Sequence, residues 1–391
     1  MRKLLPYMLI VCLLLTLSGC KPLPPEPTQP ATENVPNTEY IPQSFLTAVS
    51  VPAVTESVRA EDGTVIFNYT HQSMSLTLQD PDVADKVIID FLGRADGMRE
   101  TAENILTIAK SEYTSSAANW IPYICSILYE PTRIDAGVLS LNGTIVTFNG
   151  SAHPEQASIS ANYDLLTGDV LTLASILAPE VTSDGFCQLT LDALAEIAEE
   201  NYLYSDYEDT VRQRFSQDSS TDEAWFFSET GICFYFSPYE IAPYASGIIT
   251  VEVPYSKLTG ILHDEYFPAE QDAVTGTIIG QRLQDANMDN FQSITELVLD
   301  EGGEMALLYT QSMVQDVRID VGTWDPSGDI FTKTYTAFAA DSLSVGEAIM
   351  VESLIPDTMP NLRISYQSGE QTIIVYLSQS GKDGSIILLG L

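Results

Sequence analysis

The sequence predicts an α+β region, an antiparallel sheet with helices packed on it, followed by an all-β domain. Three observations predict it. Residues 232–236 and 249–253 alternate Ile232, Phe234 and Phe236, then Ile249, Val251 and Val253, with other side chains. Such a period of two marks strands with one face on a core. Residues 84–109 instead place Ala84, Val87, Ile88, Phe91, Ala102, Ile105 and Ala109 at helical spacing. From Asp272 onward, short apolar runs such as 304–310, 330–338 and 372–378 are separated by turn residues, the pattern of an antiparallel sandwich. An Ig-like strand order is one form of it, which no cysteine pair or Trp signature fixes.

Residues 1–20 read as a targeting segment. Arg2 and Lys3 precede an apolar run at 4–15 that is too short to span a bilayer comfortably. Leu17-Ser18-Gly19-Cys20 resembles a bacterial lipobox, in which the Cys is diacylated and becomes the new N-terminus. Two acyl chains anchor stably where one does not. Residues 21–44 read as a tether, with Pro22, Pro24, Pro25, Pro27, Pro30, Pro36 and Pro42 favouring an extended polyproline II spacer.

Residues 45–156 read as a first α+β unit. Strands are expected at 45–51, 64–69 and 73–78. Asp80 then caps a helix with Pro81 in its first turn. Gly93 and Gly97 weaken the middle of that helix and leave room for two helices. Strands follow at 121–129, 137–141 and 144–148, with Asn142-Gly143 as a hairpin turn signal. Residues 157–268 read as a second α+β unit. Its helix is expected at 189–204, with Leu191, Leu194, Ala195, Ala198 and Tyr202 on one stripe. Between its two strands, Pro238, Pro243 and Gly247 stop any ladder and hold Tyr239 and Tyr244 on a stiff corner. Residues 269–391 form the β domain.

Several pieces carry a resemblance over roughly residues 45–265. They are Gly150-Ser151-Ala152-His153-Pro154, Asn162-Tyr163-Asp164-Leu165, Thr167-Gly168, Leu171-Thr172-Leu173, Tyr235-Phe236, the run from Pro238 to Tyr244, Gly247 and Val253-Pro254-Tyr255. In this order and spacing they resemble the paired extracellular domains of RsiV-type anti-sigma factors and the non-catalytic region of PdaC-type polysaccharide deacetylases. The resemblance implies one extracellular module. RsiV-like domains bind lysozyme, so a cationic protein of that kind is an expected partner, with cell-wall glycan as the other. No cytoplasmic sigma-binding segment is expected, because only five residues precede Pro6. The deacetylase metal motifs are missing.

The binding residues expected are Tyr239, Glu240, Pro243 and Tyr244 on the corner, with His153 from the upstream motif; aromatic side chains on a rigid turn stack on sugars and anchor interfaces. The opposing reading makes the corner a packing hallmark. No catalytic residue is expected, since no hydrolase signature or Gly-rich phosphate loop occurs. No cofactor is expected, with one calcium alternative. Asp285, Asn287, Asp289 and Glu296 hold EF-hand positions one, three, five and twelve, but Asn290 stands where Gly is usual. His71, His153 and His263 lack co-ligands at metal spacing. Cys125, Cys187 and Cys233 are an odd set after lipidation and suggest no disulfide framework.

The net charge of −37 disfavours nucleic acid and anionic membrane surface and attracts cationic partners. Its densest acidic run, 196–209, reads as the wet face of a helix. These readings converge on a non-enzymatic lipoprotein, lipid-anchored on the outer face of the cytoplasmic membrane of a Gram-positive-type bacterium. A wall-modifying enzyme with an unrecognised site, or a surface scaffold acting through its β domain, are the alternatives.

Overall fold

The structure is a computed structural model that describes residues 47–390, except 115–118, 180, 183, 217–223, 270–273, 326–329, 354, 356–359 and 381. The targeting segment, Cys20 and the tether lie outside the described residues. Every described residue belongs to one compact unit, Ser44–Leu391. Among the described residues, no helix is long and apolar enough to cross a membrane.

The chain enters through β1 (Ala48–Ser50), then β2 (Ala53–Arg59), β3 (Val65–Gln72) and β4 (Ser75–Thr77). Helix α1 (Pro81–Glu112) follows, with the Asp80 side chain accepting from the Asp82 backbone N–H at 3.0 Å and Pro81 opening the helix, as expected. It runs unbroken through Gly93 and Gly97. Its buried stripe, Ala84, Val87, Phe91, Ala102, Ile105 and Ala109, outweighs the local glycine cost. β5 (Tyr123–Ile134), β6 (Val138–Phe148) and β7 (Glu155–Asp164) complete a five-stranded sheet in the order β2-β3-β5-β6-β7. Pairing of β3 with β5 is parallel, so a crossover is required, and α1 supplies it.

The hairpin expected at Asn142-Gly143 is not a turn, since β6 passes straight through both residues. A Cβ at position 143 would sit 2.7 Å from the Tyr129 ring and 2.8 Å from Ile159, so the glycine serves a close approach between strands. The turn lies earlier, where the Asp135 carboxylate accepts the backbone N–H groups of Gly137 and Val138 at 2.8 and 2.9 Å. The unit boundary drawn at 156/157 falls inside β7, whose ladder with β6 is continuous from Thr147↔Glu155 to Val138↔Asp164.

Helices α2 (Asp184–Ile197) and α3 (Tyr207–Phe215) cover a three-stranded sheet of β8 (Trp225–Phe227), β9 (Gly231–Phe236) and β10 (Ile249–Pro254), in the order β10-β9-β8. Phe234 and Phe236 pack with Phe186, Leu194, Val211 and Phe215, while Cys233 and Tyr235 enter a smaller cluster on the opposite face. Helix α2 stops at Ile197, short of the expected 204. The chain turns there so that α3 can bring Val211 and Phe215 into the same core. The acidic run 196–209 is therefore mostly a turn between helices rather than one helical face.

The C-terminal part is almost entirely strand: β11 (Ile278–Arg282), β12 (Ser293–Val298), β13 (Glu304–Thr310), β14 (Val314–Asp325), β15 (Ile330–Leu343), β16 (Glu347–Ser353), β17 (Leu362–Ser368), β18 (Gln371–Gln379) and β19 (Ile386–Leu389). They form a four-stranded sheet, β11-β13-β16-β12, and a seven-stranded one, β19-β18-β17-β14-β15-β1-β4. The two share one core, with Ala306, Leu308, Ile349 and Val351 meeting Val317, Ile319, Phe338 and Ile364. β1 is thus a strand of the C-terminal sheet, pairing Val49 with Ala339. Ala48 packs in the C-terminal core, and Val49 and Val51 in the core under α1. One short strand from the N-terminal end joins both bodies.

Candidate functional site

β9 is buried along its whole length and delivers the chain rigidly to the corner at 237–248. The first turn is held from inside. The Ser237 N–H donates to Glu240 Oε2 at 2.9 Å, the Glu240 N–H to Ser237 O at 3.0 Å, and the Tyr239 N–H to Ala242 O at 3.0 Å. Arg214 of α3 ties it down. Its Nη1 donates to Glu240 Oε1 and to Tyr235 O, both at 2.8 Å, and its guanidinium lies 4.9 Å from the Phe236 ring centre. Burial pulls the Arg214 pKa below its ordinary value, with Glu240 opposing that shift. Glu240 is therefore spent on the fold. Ile241 and Ala242 plug the core beneath.

Pro243 opens a short 3-10 turn, Tyr244–Ser246, closed by Gly247 at φ +69°. The Tyr244 hydroxyl donates to Pro154 O at 2.7 Å, and its ring stacks on His153 with centroids 4.0 Å apart and planes at 29°. The Tyr239 ring lies 5.6 Å beyond Tyr244 at 33°. Three residues expected at the site thus form one row, His153–Tyr244–Tyr239. The outer member is 60% exposed and holds a left-handed backbone, φ +72°, which bulky residues avoid.

A fourth residue joins this surface that the sequence pattern concealed. Ser246 Oγ donates to Asn201 O and the Tyr204 N–H to Ile241 O, both at 2.8 Å, so the turn after α2 lies along the corner. On that turn Tyr202 is 76% exposed at φ +53°. It was expected on the buried stripe of a longer helix, and the early end of α2 turns it outward. Exposed Glu199, Glu200, Asp206, Glu208 and Asp209 surround it in sequence. The signal available was that density of acids, at odds with a side chain bound for a core. The surface offers ring faces for stacking and phenol groups, and the turn that carries Tyr202 adds exposed carboxylates.

The remaining candidates lie elsewhere. Asp285 pairs with Arg282 at 2.7 Å, Asn287 Oδ1 accepts the Asp289 N–H at 3.2 Å, and Glu296 sits within β12. Among the described residues, no group of three or more His, Cys, Asp or Glu is placed to hold a metal ion. His71 lies 3.1 Å from Glu56 and stacks on Tyr69, and His263 meets the edge of Tyr266. Cys125, Cys187 and Cys233 are all buried. Burial pushes the Cys125 thiol up to about 11, and burial beside Glu252 pushes Cys233 up to about 12.

The corner, β8–β10, α2 and α3 fall in one recognisable segment. Residues 176–256 match the family model DUF3298, described as a protein of unknown function. That domain is related to the RsiV- and PdaC-type domains, and the match fixes no narrower family. Two crystal structures of DUF3298 proteins are similar. One, from Bacteroides fragilis, is 18% identical with a TM-score of 0.43, over 56% of this chain and 94% of its own. The other, from Pseudomonas aeruginosa, is 18% identical with a TM-score of 0.38, over 57% of this chain and 97% of its own. No curated protein matches the chain.

Proposed function

We propose that this chain is a non-catalytic, lipid-anchored surface protein that binds a cationic protein through the corner. The observation that carries the reading is that Tyr239 and Tyr202, on neighbouring segments, are both held outward in left-handed backbone. Such strain persists only where the surrounding structure enforces it, and it gathers at working surfaces. Tyr is among the residues that dominate binding energy at interfaces. The exposed carboxylates of the Tyr202 turn and the net charge of −37 favour a basic partner and speed its approach. The lipobox at Leu17–Cys20 supports the anchor, and the likeness to RsiV-type domains supports lysozyme as the partner. Cell-wall glycan is the second reading, favoured by the stacked row His153–Tyr244–Tyr239.

Calorimetric titration of the protein with hen-type lysozyme tests the reading, at low and at physiological salt. Binding should survive physiological salt and weaken at least about tenfold when Tyr202 and Tyr239 are both changed to Ala. Binding confined to low salt, or untouched by that change, would reduce the charge to a solubility device and sink the proposal.

A further inference from the structure

Away from the corner, two clefts adjoin and share Ala53 and Leu299 in their walls. One, of about 370 Å³, lies between the five-stranded sheet and the C-terminal strands. The other, of about 410 Å³, continues it along the 73–75 segment and β12. Each is within the size range of ligand sites. The origin of the first is legible in the strand alternation. Tyr69, Cys125 and Ile127 turn toward the cores under α1, which leaves Thr70 and Ser126 on the opposite face, with Thr55 beside Thr70. That face is roofed by Thr334 and Tyr335 of β15 and by the 299–300 turn.

The chemistry of the walls is specific. Hydroxyls come from Thr55, Thr70, Ser126, Thr334, Tyr335 and Ser353, and three more serines line the second cleft. Their bonds within the protein use only part of their capacity, since each hydroxyl has one donor and two acceptor sites. Thr55 and Thr70 share one bond of 2.8 Å, and Tyr335 accepts the Ala53 N–H at 3.0 Å, which leaves its own proton to give. Leu128, Val321 and Leu362 supply aliphatic surface between them. Among the described residues no Lys, Arg or His lines either cleft, whereas Glu296, Asp300 and Glu301 do. By contrast, the separate cleft of about 350 Å³ at the domain junction is lined by Arg133 and Arg318. An anionic ligand finds no counter-charge in the double cleft, whereas a ring bearing hydroxyls on its rim and C–H groups on its faces finds both partners.

We propose that the double cleft binds a neutral oligosaccharide lying along both halves. It shares no residue with the tyrosine corner, so the site stands or falls independently of the proposed function. The test is titration of the protein with chitohexaose, cellohexaose and maltohexaose, with the matching disaccharides as short controls. At least one hexaose should bind more tightly than its disaccharide, with the same affinity at low and physiological salt, because the ligand carries no charge. Ser126→Trp, which fills the first cleft, should weaken binding at least about tenfold. Thr55→Val with Thr70→Val keeps strand propensity and volume, guards against a misfolded Trp variant, and should weaken it at least about threefold. The Tyr202→Ala, Tyr239→Ala protein should bind the sugar as before. Failure of all three hexaoses to bind, binding unchanged in both cleft variants, or affinity that collapses with salt would each overturn the proposal.

Discussion

The three-stranded sheet β8–β10 ends in two ways. At the end where Gly231 pairs with Pro254, Arg133 reaches in from β5, only 4% exposed. Its Nε and Nη2 donate to Asp135 Oδ2 at 2.7 and 2.6 Å, and its Nη1 to the Tyr255 hydroxyl at 2.7 Å and to Tyr266 O at 2.6 Å. The guanidinium lies against the rings of Phe227 and Tyr255. At the opposite end, where Phe236 pairs with Ile249, the corner turns Tyr239 out to water. Both ends draw on the same kinds of residue: Arg, Tyr, Phe and a carboxylate. The first spends its donors on partners within the chain. The second uses Arg214 and Glu240 to hold the frame and leaves its rings over. Composition does not separate a structural knot from a recognition surface; the distribution of satisfied and unsatisfied groups does.

The largest effect expected from this contrast is at the knot. Arg133→Ala would take the guanidinium away from Asp135 Oδ2 and the Tyr266 carbonyl and remove two cation–ring contacts. It should cost about 3–5 kcal/mol of unfolding free energy, the usual cost of breaking a buried pair from one side. Chemical denaturation measures it, and a loss below about 1 kcal/mol would mean that the knot behaves as a surface pair.

An intermediate effect is expected at the corner, where its sign matters more than its size. Tyr239→Gly and Tyr239→Ala both remove the ring and should weaken the partner equally. In ordinary backbone Gly is the less stable of the two by about 0.5–1 kcal/mol. At φ +72° the order should reverse, with the Gly variant more stable by about 0.5–1 kcal/mol, since only the Ala variant keeps the left-handed penalty. Paired thermal melts decide this. Ala the more stable would show that the corner stores no strain and would remove the main support for the binding surface.

How far this contrast could be read from sequence depends on the range of the interactions involved. The cap at Asp80-Pro81, the alternation in β10 and the corner residues are local patterns, and they were legible, whereas β9, expected to bury one face, buries both. Tyr202 was not, because the helical period runs on past Ile197 while the turn that ends α2 is set by where α3 must pack. Asn142-Gly143 misled for a related reason. The same dipeptide suits a tight turn or a strand under a neighbouring ring, and only the Tyr129 side chain decides between them. The place of β1 beside β15 joins segments far apart in the chain, Val49 with Ala339, and nothing in Ala48-Val49-Ser50 names its partner. Arg133 likewise meets Tyr255 and Tyr266 only once two regions have come together.

The smallest effect lies between the two extremes, at Tyr244. Its ring belongs to the exposed row, yet its hydroxyl is committed to Pro154 O in the manner of the knot. Tyr244→Phe keeps the ring and removes only that hydrogen bond. The expected cost is about 0.5–1.5 kcal/mol of stability, the net worth of one intramolecular hydrogen bond. Affinity for the partner should move by less than about threefold, because the stacking faces of the row remain. Melting curves and titration on the same preparation separate the two roles. Stability lost with affinity kept makes the hydroxyl a strut that fixes the His153 segment beneath the corner. Affinity lost with stability kept would mean that the partner itself takes this hydroxyl, and the recognition surface would then extend inward from Tyr239 to the Gly150–Pro154 motif.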